Sequence, residues 1–174
     1  MRRIARSALV TLGVIAGLIA IVLLSGKSNR LATGRPAPPL PTRVLVPPRV
    51  TLASLRGKPA AINFWASWCT PCQKEAPELG RVAAALHGRA NLIGVDWTDA
   101  TGAARSFLQQ HHLTYPNLVD PDGVAGQEYG LHGLPTTFIV DARGRITAVL
   151  RGPQSADSLL RALHLAAGTS SYPR

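Results

Sequence analysis

Hydrophobic positions along the chain fall into short apolar runs that alternate with amphipathic stretches. The apolar and β-branched runs predict strands at residues 60–65, 92–97, 136–140 and 146–150. The amphipathic stretches predict helices at residues 71–87, 102–112, 124–129 and 156–167, with Ser155 as the N-cap of the last one. This order of elements predicts one α/β domain with a central mixed sheet that is covered by helices.

A different pattern occupies the front of the chain, where residues 7–26 read SALVTLGVIAGLIAIVLLSG without a charge. At about 1.5 Å per residue, such a helix covers a hydrocarbon core of about 30 Å. Arg2, Arg3 and Arg6 precede the run, so the positive-inside rule predicts a cytoplasmic segment 1–6 and an exported body. We therefore predict a single-pass anchor in the cell membrane, with the domain on the extracytoplasmic side. A cleaved signal peptide is the alternative, although its apolar core is normally shorter and ends in a better small-residue site.

The segments on either side of the domain differ from it in composition. Residues 27–38 begin a proline-rich stretch that predicts an extended stalk, and the domain itself is predicted at residues 39–167. Residues 168–174, GTSSYPR, are predicted to form a flexible tail.

The formal net charge of +10 does not predict nucleic-acid binding. Six of the nineteen basic residues lie in the first 35 positions, where no acidic residue occurs, and the body has only a mild basic excess without a Lys/Arg cluster. Retention near an anionic membrane surface explains the charge more simply.

Candidate chemistry centres on the two cysteines of the chain, Cys69 and Cys72, within FWASWCTPCQKE. Cys69 follows a predicted strand, and Pro71 suits the first turn of the helix that comes next. Cys69 is therefore placed at a helix N-terminus, where the dipole and the unpaired N–H groups favour its thiolate. Cys72, in the first turn, can then attack a mixed disulfide formed on Cys69. This arrangement predicts a redox exchange site.

Two other uses of the cysteine pair stay open. A zinc site needs about four ligands, whereas one Cys-x-x-Cys supplies two, and the five histidines show no zinc-finger spacing. A purely structural disulfide at this spacing closes a loop too small to add much stability.

The segments INFWASWCTPCQKEAPEL and GLHGLPTTFIVDARGRI together resemble the thioredoxin superfamily, and specifically its membrane-anchored TlpA/ResA/DsbE (CcmG) branch. The resemblance covers residues 36–167. It implies a thioredoxin fold with an N-terminal β-extension and a single N-terminal transmembrane helix. It also implies a cis peptide bond at Pro135, which would pack beside Cys69, and a Leu134 backbone that pairs with a substrate strand.

The resemblance also assigns expectations to residues around the cysteines. Cytoplasmic thioredoxins carry a buried aspartate where this chain has Asn63, and in the ResA-like branch a glutamate at the position of Glu75 is thought to take over proton transfer. An exposed Glu75 that only complements the helix dipole is the alternative. Trp68 is expected to shield the site and to dock substrate, or simply to pack. Thr70 and Pro71, between the cysteines, match neither the usual reducing nor the strongly oxidising pair.

The function that follows is an extracytoplasmic thiol-disulfide oxidoreductase that reduces disulfides in exported proteins. The resemblance suggests a membrane reductase of the CcdA or DsbD type as electron donor, and the Cys-x-x-Cys-His motif of apocytochrome c as a substrate. We expect a monomer with no bound metal and no cofactor beyond the Cys69–Cys72 disulfide.

Three alternatives remain. One is a disulfide-forming oxidase of the same fold, although the chain has no room for a large helical insertion before Pro135. Another is a copper-binding chaperone that uses Cys69, Cys72 and His132, where His132 would otherwise be an ordinary loop residue. The third is a peroxidase, which the residues before Cys69 disfavour because Ala66 stands where a peroxidatic site would have threonine.

Overall fold

The computed structural model describes residues 33–168. The predicted segments 1–6 and 7–26 lie outside the described residues, as do half of the stalk predicted at 27–38 and all but the first residue of the tail predicted at 168–174. Among the helices of the described part, none has the length and apolar character needed to cross a membrane.

Six strands and five helices make up the described domain. The strands are β1 (Arg43–Val46), β2 (Ala60–Trp65), β3 (Asn91–Trp97), β4 (Asn117–Asp120), β5 (Thr136–Val140) and β6 (Ile146–Arg151). The helices are α1 (Leu52–Leu55), α2 (Thr70–Ala85), α3 (Thr101–Gln110), α4 (Val124–Tyr129) and α5 (Ala156–Ala166).

All six strands join one mixed sheet in the order β1-β4-β3-β2-β5-β6. The pairs β2–β3 and β3–β4 are parallel, while β1–β4, β2–β5 and β5–β6 are antiparallel. This arrangement confirms the predicted thioredoxin-like α/β fold with a mixed sheet and flanking helices.

The central strand β2 is buried along its whole length because neighbouring strands cover both its edges and apolar clusters cover both its faces. One cluster packs Trp65 with Leu79 of α2, Phe107 of α3 and Leu159 of α5. The other cluster includes Phe64 and residues of α1 and α4. A strand that is buried on both faces reads as a continuous apolar run, which is why AAINFW predicts it directly from the sequence.

Several predicted elements occur where the sequence places them. β2, β5 and α4 have the predicted bounds, and the Ser155 hydroxyl accepts a hydrogen bond from the Ser158 N–H, which confirms the N-cap. α2 ends at Ala85, two residues before the predicted end, because His87 and Gly88 adopt positive φ angles of 45° and 73°. α3 ends at Gln110, before His112 at a φ of 54°.

Three short elements do not correspond to sequence predictions at their positions. β4 and α1 are absent from the predicted order, and β1 falls within the proline-rich stretch, although it is the N-terminal β-extension that the resemblance implies. Each of the three has only four residues, too few for a periodicity to be recognised. β4 exists because β3 and β1 pair with it on either side.

The chain joins the domain before residue 39, the predicted boundary. The Gly34 N–H donates to the Ile146 carbonyl at 2.6 Å, and the Ala37 N–H donates to the Gly144 carbonyl at 2.8 Å. Ala37 and Leu40 are buried. Extended backbone has unpaired N–H and C=O groups, so this segment gains hydrogen bonds by lying along the β5–β6 turn.

A close approach between β3 and β4 holds the end of β2 in place. A side chain at Gly94 would put its Cβ 1.7 Å from Oδ1 of Asn117, so this position requires glycine. Asn117 Oδ1 accepts a hydrogen bond from Nε1 of Trp65 at 2.9 Å. The bond anchors the last residue of β2 just before the loop that leads to Cys69.

Candidate active site

The two cysteines lie at the start of α2 and are joined by a disulfide with a Cα–Cα distance of 5.2 Å. Cys69 is the N-cap of α2, and its Sγ accepts a hydrogen bond from the Cys72 N–H at 3.2 Å. When the disulfide is reduced, the same N–H and the positive end of the helix dipole stabilise a thiolate on Cys69. This confirms the predicted position of Cys69 at a helix N-terminus.

A groove of about 480 Å³ runs beside Cys69. Its walls come from the start of α2 and from the segments after β3 and before β5, and the lining residues are Trp68, Cys69, Thr70, Pro71, Trp97, Leu131, His132, Gly133 and Leu134. Cys69 is 4% exposed and Cys72 is 2% exposed, but of the two only Cys69 lines the groove. Cys69 therefore carries the sulfur that an incoming molecule reaches first.

Trp68 and Trp97 form an aromatic wall of this groove. Trp68 is 56% exposed, and the ring centroids of the two tryptophans are 6.4 Å apart. So large an exposed ring is not explained by packing and suits contact with another molecule. Sequence reasoning did not select Trp97, although its position at the carboxyl end of a central parallel strand is one where sites in α/β proteins gather.

Leu134 and Pro135 directly precede β5, and Leu134 lines the groove together with residues at the start of α2. The Leu134–Pro135 peptide bond is cis, as the resemblance implies, and Pro47–Pro48 is a second cis bond that was not expected. Pro135 is buried, whereas Leu134 is partly exposed and lines the groove. Its backbone is thus placed at the edge of the space next to Cys69.

Glu75 lies one helical turn after Cys72, and both side chains are on the buried side of α2. Glu75 is 1% exposed, so the alternative of an exposed first-turn residue is wrong. Its Oε1 accepts a hydrogen bond from the Gln154 backbone N–H at 2.9 Å, and its Oε2 accepts one from Nδ2 of Asn63 at 3.0 Å. Burial raises the pKa of Glu75, and the two hydrogen bonds offset part of that rise.

The contact from Gln154 could not be read from the sequence, because the donor is a backbone N–H that any residue except proline supplies. It comes from the loop between β6 and α5, far from Glu75 along the chain. Tyr115, which precedes β4, is buried too, and its pKa is raised by burial and then by the charge of Glu75.

Asp99, which follows β3, supports the loop that precedes Cys69, and Asp96 lies within β3 itself. Oδ2 of Asp99 accepts a hydrogen bond from the Ser67 N–H at 2.6 Å, and Oδ1 accepts one from the Ala100 N–H at 2.7 Å. Asp96 is fully buried, and neither of its carboxylate oxygens has a hydrogen-bond partner among residues 33–168. Burial, and next the negative charge of Asp99, raise the pKa of Asp96 to about 7.

His132, which would be a metal ligand only under the alternative of a copper-binding chaperone, lines the same groove as Cys69. Within the described range 33–168, however, no three histidine, cysteine, aspartate or glutamate side chains are grouped so that they could hold a metal ion. The arrangement around Cys69 is that of a thiol exchange site.

Comparison with known sequences places this arrangement among thioredoxin-like proteins. The sequence pattern of the AhpC/TSA family matches residues 33–149. The thiol:disulfide interchange protein DsbE of Allochromatium vinosum is 37% identical over 164 residues, which cover 90% of each chain. The thiol-disulfide oxidoreductase ResA of Bacillus cereus is 27% identical over 150 residues, which cover 84% of this chain and 87% of ResA.

Comparison of structures leads to the same group. A crystal structure of a secreted Mycobacterium tuberculosis disulfide oxidoreductase, described as homologous to E. coli DsbE, is similar to this domain with a TM-score of 0.65 and 32% sequence identity. The similarity covers 72% of this chain and 95% of the M. tuberculosis chain.

Proposed function

Because this chain belongs to the AhpC/TSA family of thioredoxin-like proteins, in the branch of ResA and DsbE, we propose that it reduces disulfide bonds of exported proteins outside the cytoplasm. The chain is a thiol-disulfide oxidoreductase; the direction of electron flow and the substrates are the proposal. The main observation in support of the proposed reaction is the position of Cys69, which caps α2 and is the cysteine that lines the groove.

In the proposed reaction, the Cys69 thiolate attacks one sulfur of a target disulfide. A Cys69–target disulfide forms, and the other target sulfur leaves as a thiolate. The Cys72 thiolate then attacks Cys69 Sγ, so the Cys69–Cys72 disulfide forms and the second target sulfur leaves. Two electrons have passed from the cysteine pair to the target, which ends as a dithiol.

Glu75 is proposed to accept the proton of the Cys72 thiol before this second step. Its pKa is raised by burial, and it lies within one helical turn of Cys72. A carboxylate with a raised pKa is a stronger base than an ordinary one and can take a proton from a thiol more readily.

The groove is proposed to hold the target chain. Trp68 and Trp97 offer apolar contact on one side, Thr70 and Pro71 shape the rim, and the backbone of Leu134 is proposed to pair with a target strand next to the cis Pro135. No cofactor beyond the cysteine pair is required for this chemistry.

The proposed site of action is the extracytoplasmic face of the membrane. The uncharged run 7–26, with arginines before it, supports a membrane anchor or export signal, and the similar M. tuberculosis protein is described as secreted. The proposed donor is a membrane thiol reductase of the CcdA or DsbD type, and the proposed target is a Cys-x-x-Cys pair such as that of apocytochrome c.

The reduction potential of the cysteine pair tests the direction of electron flow. We expect a value of about −250 mV or lower, near that of thioredoxin, by equilibration of the full-length protein against dithiothreitol and glutathione. A value near −120 mV, about that of DsbA, would identify the chain as a disulfide-forming oxidase instead.

Replacing Glu75 with glutamine is expected to slow the release of target from the mixed disulfide by about tenfold to a hundredfold at neutral pH. The amide can accept hydrogen bonds but cannot take up the Cys72 proton. The wild-type rate should rise with pH as Glu75 ionises, and this part of the pH profile should vanish in E75Q. Stopped-flow fluorescence of a preformed mixed disulfide measures the step.

Glu78 provides the matched control for that experiment, because it lies on the same helix and its carboxylate accepts a hydrogen bond from the Ala156 N–H at 2.8 Å. E78Q should keep the wild-type rate and pH profile. An E75Q protein with an unchanged pH profile would remove Glu75 from the mechanism.

A further inference from the structure

Asn63 lies on β2 and is connected to Glu75 of α2 and to Thr137 of β5 by hydrogen bonds. Its side chain is completely buried, and Nδ2 donates both to Oε2 of Glu75 at 3.0 Å and to Oγ1 of Thr137 at 2.9 Å. The carbonyl Oδ1 is buried as well but has no hydrogen-bond partner in the described part of the chain. A buried acceptor without a partner costs free energy, so its retention calls for an explanation.

The pattern fits only one protonation state of Glu75. Both carboxylate oxygens accept hydrogen bonds, Oε1 from the Gln154 N–H and Oε2 from Asn63. A protonated carboxyl group must instead donate from one of its oxygens. The backbone N–H of Gln154 can only donate, which suits the carbonyl oxygen of the acid at Oε1, and a proton on Oε2 would then face Nδ2 of Asn63, which is itself a donor.

Rotation of the Asn63 amide by 180° supplies a hydrogen-bond acceptor for the protonated carboxyl group of Glu75. The rotation brings Oδ1 to the position of Nδ2, where it can accept from the Glu75 carboxyl group. Thr137 adapts to both arrangements because its hydroxyl accepts from Nδ2 in one of them and donates to Oδ1 in the other. Each arrangement contains two hydrogen bonds to the Asn63 side chain, and each leaves one buried polar group of the amide without a partner, Oδ1 in the first and Nδ2 in the second.

We propose that Asn63 is a positioning residue whose side-chain amide turns over when Glu75 gains or loses a proton, which keeps Glu75 hydrogen-bonded in both states. This inference rests on the proposed role of Glu75 in proton transfer. In the exchange cycle, Glu75 takes the proton of the Cys72 thiol, the amide turns, and loss of the proton returns the amide to its first orientation.

Other ionisable groups lie near Glu75 and have to be separated from it. Cys72 and Glu78 share its helix, and Tyr115 approaches from the segment before β4. Asp96 pairs in register with Trp65 on β2 and is therefore on the same face of the sheet as Asn63. The groups that donate to Glu75 are themselves uncharged.

Nuclear magnetic resonance of the oxidised full-length protein tests the proposal directly, because the disulfide removes the cysteines from the titration. At high pH, we expect nuclear Overhauser effects between the Asn63 Hδ2 protons and the Thr137 methyl group. As the pH falls and Glu75 takes up a proton, these effects should disappear and the Asn63 amide resonances should shift with the same midpoint. Constant Overhauser effects across the whole titration would overturn the proposal.

The Glu75→Gln variant is the control. The backbone N–H of Gln154 continues to donate to the side-chain carbonyl of the glutamine at position 75. The NH₂ group of that glutamine therefore faces Asn63 and imitates the protonated acid. Asn63 should then hold the turned orientation at every pH. Asp96 and Tyr115 remain in this variant, so any pH dependence that survives belongs to them.

The Asn63→Asp variant adds a functional measurement. Its carboxylate repels ionised Glu75, and two adjacent carboxyl groups retain one proton between them, so the midpoint of the rate profile for target release should move to higher pH by about one unit or more. An unchanged midpoint would mean that the side chain at position 63 does not share a proton with Glu75.

The spectroscopic measurement does not use turnover and is independent of the direction of electron flow. A chain that proves to be an oxidase would still show the turning amide. If the protein is a good reductant but the Asn63 amide keeps one orientation, the inference about Asn63 is wrong and the proposed function stands.

Discussion

Replacing Cys72 with serine is expected to turn the protein into a trap that stays covalently bound to its target. Cys69 lines the groove and caps α2, so it can still attack a target disulfide in C72S. Serine cannot attack the resulting mixed disulfide, so target release and turnover should fall by about a thousandfold or more.

An oxidised peptide with the Cys-x-x-Cys-His motif is a suitable probe for this experiment. The reduced C72S protein should gain the mass of the peptide in non-reducing mass spectrometry and lose it on addition of dithiothreitol. The C69S variant is the matched control, since it keeps only Cys72, which does not line the groove, and should form no such adduct. Adducts on C69S but not on C72S would mean that the two cysteines have the opposite roles.

Replacing Asp96 with asparagine is expected to raise the free energy of unfolding by about 2 to 4 kcal/mol at pH 8. Asp96 is fully buried, and burial together with the charge of Asp99 raises its pKa from 3.8 to about 7. The folded state therefore binds this proton more tightly than the unfolded state does. The stabilisation that results from proton binding at Asp96 is fully present below about pH 4 and is lost as the pH rises through about 7.

The difference between D96N and the wild type in urea unfolding, measured from about pH 4 to pH 8, isolates this contribution. It should be small at the acidic end and reach its full size near pH 8. The exposed Asp122 provides the control, because D122N should change the stability by less than about 0.5 kcal/mol at every pH. A D96N difference that does not depend on pH would mean that Asp96 ionises normally in the folded protein.

Much of the fold was predictable from the sequence because its signals are local. The continuous apolar run of β2, the β-branched run of β5 and the N-cap at Ser155 each depend on residues that are neighbours along the chain. The position of Cys69 at a helix N-terminus is equally local, since it needs only a strand, a short loop and Pro71. The catalytic pair is therefore recognisable in the amino-acid sequence alone.

β1 and β4 show where local signals end. Each has four residues, and pairing between the two strands and with β3 stabilises them together. A strand of this length is decided by its partners, because four residues carry too little periodicity to distinguish a strand from a loop. The groove also depends on strand pairing, since Trp97 contacts Trp68 only when β3 lies beside β2.

Glu75 is a residue for which the sequence determined one property and the tertiary structure determined another. The sequence by itself determined that a carboxyl group follows Cys72 by one helical turn, and left open whether that group is exposed. Only the tertiary structure decided that it is buried, with Asn63 and the Gln154 backbone as its partners. Periodicity along a helix establishes which residues share a face, but the environment of a buried charge depends on groups from other strands and loops that meet only in the folded chain.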